Sequence, residues 1–205
     1  VSVDPDERRT PRRSRNDLVR ATLEILDERG LSELSMRNIA ASLGVQASAL
    51  YWHFPNKQSL LAAVADVIVA DDDDRLEDDW RVAALTEARA LRTRLLAVTD
   101  GAELVASALA LGLGGGAAAL RLRTVFARRG FEPDAARRAG AALVHFVLGH
   151  TAVEQQRAQA RALGVDMADA DAADAVAPAD EAAFELGLRA LVRGLGADEH
   201  DVGTD

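Results

Sequence analysis

The 205-residue chain has no cysteine, one lysine and eight aromatic side chains. Without cysteine it forms neither a disulfide nor a thiolate metal site, and its redox compartment leaves no trace in the composition. No apolar run reaches the ~18 uncharged residues of a membrane-spanning helix, so no membrane is expected as a partner. Asp4, Asp6 and Glu7 lead into arginines with no apolar stretch behind them. That is not the pattern of a signal peptide, and the cytoplasm is the expected location. Sustained two-residue alternation is also missing, so strands are not expected.

What is present is helical. Hydrophobic residues make up 49% of the chain, enough for a real core. Ser14 and Asp17 have the spacing of a capping box, followed by an apolar stripe at Leu18, Leu23, Ile25 and Leu26, and Gly30 closes that helix. Ser35 caps a short helix with Ile39, Ala40 and Leu43, which Gly44 stops. A third helix follows Val45 and carries Leu50, Tyr51 and Phe54. Pro55-Asn56 breaks it, and Asn56 caps a longer helix from Lys57 to about Ala70. Further helices are predicted near 79–98, 102–111, 117–129, 134–161 and 180–195. The expected fold is all-α.

Charge divides the chain. Residues 1–57 carry nine Arg or Lys against eight Asp or Glu, although the whole chain has a net charge of −9. Arg8, Arg9, Arg12, Arg13 and Arg15 form a basic arm with no acid between them, either a solvated tail or a segment that meets a polyanion. The expected organisation is a flexible arm over 1–13, a small helical head over 14–62 and a larger helical body over 63–205.

The two short helices carry the functional signal. Ala40 is small enough for a second helix to pass closely. Gly44 can adopt the left-handed turn, and Ile39, Leu43, Val45 and Leu50 form an apolar wedge between the helices. This is a helix-turn-helix pattern, whose second helix enters the major groove of DNA. Three of the eight aromatics fall in the four residues Tyr51–Phe54, and the single lysine, Lys57, follows three positions later. Tyr51 and Trp52 can lie along sugar and phosphate, and His53 can donate to phosphate. Lys57 sits at a helix start, where free amides already favour an anion. Phe54 is expected in the core. Phosphate contacts position the protein and base contacts specify sequence. The base-reading candidates are Arg37, Gln46, Ala47, Ser48 and Ala49, with Arg37 suited to guanine and the alanines to thymine methyls.

Residues 18–65, "ATLEILDERGLSELSMRNIAASLGVQASALYWHFPNKQSLLAAV" in their matching part, resemble the DNA-binding domain of the tetracycline-repressor (TetR) family. The resemblance extends weakly further, through "DGAELV" at 100–105, "HFVLGHTAVEQQ" at 145–156 and "FELGLRALVRGL" at 184–195, which are similar to segments of the tetracycline-repressor subgroup. It implies a ligand-responsive repressor that binds a double-stranded, palindromic DNA operator as a homodimer and is released by a small-molecule effector. It also implies a two-fold four-helix bundle made by the helix near 134–161 and the last helix.

The residues suit such a bundle: Phe184, Leu188, Leu191, Val192 and Leu195 on one helix, and Ala142, Phe146, Gly149 and Val153 on the other. Burial within a single protomer is the competing reading. The small residues of 106–122 suggest a roomy, largely apolar pocket. The candidate lining is Val105, Ser107, Ala108, Leu122, Phe126, His145, His150 and Gln155. In the tetracycline-repressor subgroup the drug binds as a magnesium chelate held by a His and a Glu. The matching positions here are Val105 and Val153, with another drug-contacting His falling near Asp73, so no metal and no cofactor are expected. His150 and Glu154, four residues apart, read as a polar pair, and the Asp71–Asp79 acids as a solvated helix end. No catalytic residue is expected. The rival readings are a DNA-binding protein blind to ligands and a helical-bundle enzyme.

Overall fold

Nine α-helices and one 3-10 turn account for the described residues, which in this computed structural model are 14–71, 77–164 and 180–196. They are α1 (Arg15–Arg29), the 3-10 turn (Leu31–Glu33), α2 (Met36–Ser42), α3 (Ala47–Tyr51), α4 (Lys57–Val69), α5 (Trp80–Leu96), α6 (Gly101–Ala110), α7 (Ala117–Arg129), α8 (Pro133–Ala162) and α9 (Glu181–Leu195). There is no strand among the described residues. The proposed arm over 1–13 and Asp72–Asp74 of the acidic run lie outside them.

The caps explain the helix boundaries. Ser14 Oγ accepts from the Asp17 amide at 3.2 Å, and Asp17 Oδ2 accepts from the Ser14 amide at 2.8 Å, a reciprocal capping box. Ser35 and Asn56 cap α2 and α4 in the same way as Ser14, their side chains accepting from Asn38 and Ser59. Asp79 caps α5 by accepting from Arg81 at 2.7 Å, so the end of the acidic run has a defined structural task. At the α2–α3 corner, Gly44 has φ +67. The Val45 amide donates to Ala40 O and the Gly44 amide to Ala41 O, which satisfies the last carbonyls of α2.

The head is α1–α3 packed on the first turns of α4. Leu18, Leu26, Ile39, Leu50 and Phe54 form its dry centre, each 1% exposed or less. Leu50 and Phe54 hold α3 in place, since burying one such side chain stabilises by about 1.5–3 kcal/mol. The expected boundary at 62–63 falls inside α4, which runs without a break from Lys57 to Val69. Head and body therefore share a helix, and one apolar core continues from Leu18 through Val192.

In the body, α7 lies along α8, and Gly140 lets them approach closely: a Cβ there would stand 3.0 Å from the Arg123 amide nitrogen. Gly114 does the same against α4, where a Cβ would meet Ala62 O at 2.6 Å. Glycines 114 and 140 thus bring backbones together. Trp80, Phe126 and Phe131 form an aromatic cluster with centroids 5.2–6.0 Å apart.

The last helix also needs correction. Phe184, Leu188 and Val192 are buried inside the protomer, so this stripe is not available to a second copy. Phe184 stacks on Phe146 at 5.6 Å, and Gly187 admits the Phe146 ring, which would lie 2.7 Å from a Cβ at that position. The physical reason is that α5 and α8 leave an apolar face uncovered, and α9 closes it. Arg89 and Arg92 of α5 clamp α9 through Glu185 and Glu181. Leu191 and Leu195 are half-buried, Gly149 is exposed, and the outward apolar positions are Val153 and the unforeseen Leu186, which is 75% exposed.

Candidate functional site

The candidate DNA-contacting residues of the head are all accessible to solvent. Arg37, Gln46, Ser48 and Ala49 are exposed, and Ala47, His53 and Lys57 are half-buried. Tyr51 is 52% exposed and Trp52 89%, whereas Phe54 between α3 and α4 is fully buried. An indole that open to water at the tip of a packed helix has no role in the fold of this protomer. The cap residue Asn56 places Lys57 on the first turn of α4, where the amides and the helix dipole favour an anion. The nine expected DNA-contacting residues are thus exposed or half-buried, and they lie on α2, on α3 and its two ends, and at the start of α4.

The expected effector residues divide. Val105, Ala108, Leu122 and Phe126 are buried in the packed core, while Ser107 is exposed. His145 belongs to an open, mostly apolar groove of about 470 Å³ between α6, α7 and α8, with Ala106, Leu109, Ala119, Val144 and Leu148 among its walls. The run of small residues over 106–122 therefore produces a surface groove. His150 and Gln155 are tied up instead. His150 Nε2 lies 3.2 Å from Asp180 O, at the cap of α9. The Gln155 amide donates to Leu95 O and Val98 O at 3.0 and 2.7 Å and accepts from the Ala102 amide, bracing the α5–α6 corner. Glu154 accepts from Arg92 at 3.0 Å, so it does not pair with His150. No group of three metal-ligating side chains occurs among the described residues.

Two features escaped the sequence reading. One is a charge network in the body. Glu87 Oε1 accepts from Arg94 at 3.0 Å and from Arg121 at 2.9 Å. Arg94 also pairs with Asp71, and Arg121 donates to Val69 O in the last turn of α4 at 2.9 Å. Glu87 lies on the apolar stripe Trp80, Ala84, Ala88, Leu91, Leu95 of α5, and a charge on such a stripe was the available signal. The second is a strap between body and head. Asp100, with φ 55, is the single non-glycine of positive φ among the described residues. Its Oδ2 accepts from the Leu31 amide at 2.7 Å, and Oδ1 accepts from Gln159 of α8. Thr99 Oγ1 donates to Asp27 O at 3.0 Å beside it. Gly30, against which this carboxylate packs, leaves no room for a Cβ, which would stand 2.9 Å from Asp100 Oδ2.

Comparison with known proteins agrees with this geometry. Residues 18–64 match the family model of bacterial regulatory proteins of the tetR family, and residues 73–198 match the tetracyclin repressor-like C-terminal domain. The chain belongs to the TetR family of bacterial regulatory proteins. It is thus a DNA-binding transcriptional regulator of that family. It is 36% identical to the tetracycline repressor protein class A from transposon 1721 of Escherichia coli, over 88% of this chain and 89% of that protein. Among solved structures, BioQ with its double-stranded DNA operator is 35% identical with a TM-score of 0.72, covering 90% of this chain and 99% of the other. A single-residue variant of TetR from Acinetobacter baumannii AYE in complex with minocycline is 29% identical with a TM-score of 0.69, covering 90% and 94%. No helix among the described residues is long and apolar enough to cross a membrane.

Proposed function

We propose that this TetR-family chain is a homodimeric repressor that binds a palindromic operator and is released by a small, largely apolar effector. The observation that carries it is the exposed Tyr51–Trp52 pair at the end of α3, in a head where Arg37, Gln46 and Ser48 are exposed and Lys57 is half-buried. Tyr51, Trp52, His53 and Lys57 hold phosphates, while Arg37 and Gln46–Ala49 meet base edges. The operator bound by BioQ supports DNA as the partner, and the minocycline bound by the Acinetobacter TetR variant supports a small-molecule effector. Two heads on a two-fold axis read half-sites about one helical turn, ~34 Å, apart. The dimer surface we assign is the outer face of α8 and α9, with Val153, Leu186 and the half-buried Leu191 and Leu195, while Gly149 belongs to the wall of the groove at His145. The protein acts in the cytoplasm, where its DNA is, and not as an enzyme.

The effector enters the α6–α7–α8 groove, whose volume falls in the range of about 300–1,000 Å³ common to small-molecule sites. His145 is its polar anchor. A magnesium–tetracycline chelate does not fit: Val105 is buried and Val153 is exposed, and neither carries a ligating atom. The signal leaves by two routes. One is α4, which Gly114 brings into backbone contact with the α6–α7 connection. The other is the Asp100 strap, which ties α8 to the end of α1. An effector shifts the equilibrium only by its differential affinity for the two head spacings.

The test is a mobility-shift titration on the DNA flanking the chain's own gene. Tyr51→Ala and Lys57→Ala each weaken binding by about tenfold, roughly the worth of one charge-assisted phosphate contact, while the oligomer stays intact. Unchanged affinity in both variants removes the assignment. If no compound both raises the melting temperature and releases DNA, the ligand-blind reading stands instead.

A further inference from the structure

The structure gives Arg15 a task outside the basic arm in which the sequence grouped it. Arg15 is the first residue of α1, immediately after the Ser14 cap of the Ser14–Asp17 capping box that fixes this end of the helix. Its Nη1 donates to His53 O at 3.0 Å, across 38 residues of sequence. Its guanidinium carbon stands 4.1 Å above the centre of the Phe54 ring. One flat cation thus grips both the carbonyl that follows α3 and the aromatic side chain that anchors α3 to the core.

The position is informative. His53 O lies past the C-terminal end of the five-residue α3, where the chain carries partial negative charge and few backbone partners remain. The end of α3 is held from within by the burial of Leu50 and Phe54. From outside, Arg15 supplies a polar contact that holds it. Tyr51, Trp52 and His53 occupy the three positions before Phe54, so a shift of this corner moves every aromatic and imidazole group on the DNA-facing tip. Arginine suits the place because its plane stacks on a ring while its edge donates, two roles that an ammonium cannot fill together.

We infer that Arg15 is a positioning residue for operator recognition: it sets the angle of the Tyr51–His53 tip against DNA through His53 O and Phe54, without being a phosphate contact itself. The inference rests on the reading of α3 as the recognition helix. It separates from the general attraction of arginines for DNA, which is independent of sequence and strongly dependent on salt.

The test compares wild type, Arg15→Ala and Arg15→Lys on operator DNA and on random duplex over a range of salt. The expected result for Arg15→Ala is about tenfold weaker operator binding, unchanged random-duplex binding and an unchanged salt slope. Arg15→Lys, which keeps the charge, is expected to recover only part of the loss. A phosphate contact would instead weaken both DNAs alike and lower the salt slope by about one, with full recovery in Arg15→Lys. That outcome, or operator affinity within about twofold of wild type in Arg15→Ala, overturns the inference. If Arg15→Ala melts early, Arg15→Lys decides alone: a partial loss on operator with an intact random-duplex affinity supports positioning, and no loss overturns it. Wild type with no preference for operator over random duplex overturns the recognition-helix reading itself, a failure distinct from a wild type that discriminates and an Arg15→Ala variant that discriminates equally well.

Discussion

The two tryptophans stand in opposite surroundings. Trp52 at the tip of α3 is 89% exposed, while Trp80 at the start of α5 is buried against Phe126 and Phe131. The charges follow the same division. In the head Arg37 is exposed and Lys57 is half-buried, and neither forms an ion pair among the described residues. In the body Glu87, Arg94, Arg121 and Asp71 are linked to one another in and around the core. The head keeps Arg37 and Lys57 available for a partner outside the chain. The body directs its polar groups at itself, and in doing so fixes the end of α4. Removing an exposed side chain such as Tyr51 from the head should therefore change binding with little effect on folding, and removing one from the body network should do the reverse.

The largest expected effect is Glu87→Ala. It leaves two partly buried guanidinium groups without their shared carboxylate, and breaking such a pair costs about 3–5 kcal/mol. Urea or thermal denaturation checks this, and a loss below about 1 kcal/mol would dissolve the contrast between the two regions. Asp100→Ala comes next. It strips the partners from the Leu31 amide and Gln159 and keeps a left-handed backbone that alanine disfavours, with an expected loss of about 1–3 kcal/mol. The same variant sharpens the comparison, because it also loosens the head from α8. Operator affinity should then fall together with stability, unlike for any variant confined to one region.

A smaller effect is expected at the α5–α9 clamp. The Glu185 carboxyl is held down to about 2, from an ordinary 4.5, chiefly by its hydrogen bond to Arg89 and further by Arg189, against the opposing cost of burial. Because the folded value is the lower one, this stability is fully present above about pH 4.5 and is lost as pH falls toward 2. Glu185→Gln should flatten that part of the acid-unfolding profile and cost about 1–2 kcal/mol near neutral pH, allowing for the half-open position of Arg89. Smallest of all is the folding cost of Tyr51→Ala, expected within about 0.5 kcal/mol of wild type by the same denaturation, although its DNA affinity falls.

The head was almost entirely legible because its determinants are local. Ser14 with Asp17, Ser35, Gly44 and Asn56 set helix ends through contacts within a few residues, and spacing alone exposes them. The exposure of Tyr51 and Trp52 follows from the same periodicity, since Leu50 and Phe54 define the buried side of α3 and leave these two on the other. The body was legible as helices and misread as surfaces. The α9 stripe at Phe184, Leu188 and Val192 has the pattern of an interface, and periodicity cannot say whether the covering helix belongs to the same chain. Nor does an alanine- and glycine-rich segment state whether its missing volume becomes a cavity, a surface groove or a close helix crossing.

Composition and local spacing by themselves determined that this chain is all-helical and carries a helix-turn-helix head, with three of its eight aromatics and its one lysine gathered there. Only the tertiary structure decided the partners that act over long separations: Glu87 with Arg121, Asp100 with Leu31, Arg15 with His53. A cap closes a ring of a few residues and is encoded within it. A contact across 34, 69 or 38 residues depends on how helices stack, and that is settled by the packing of the whole core.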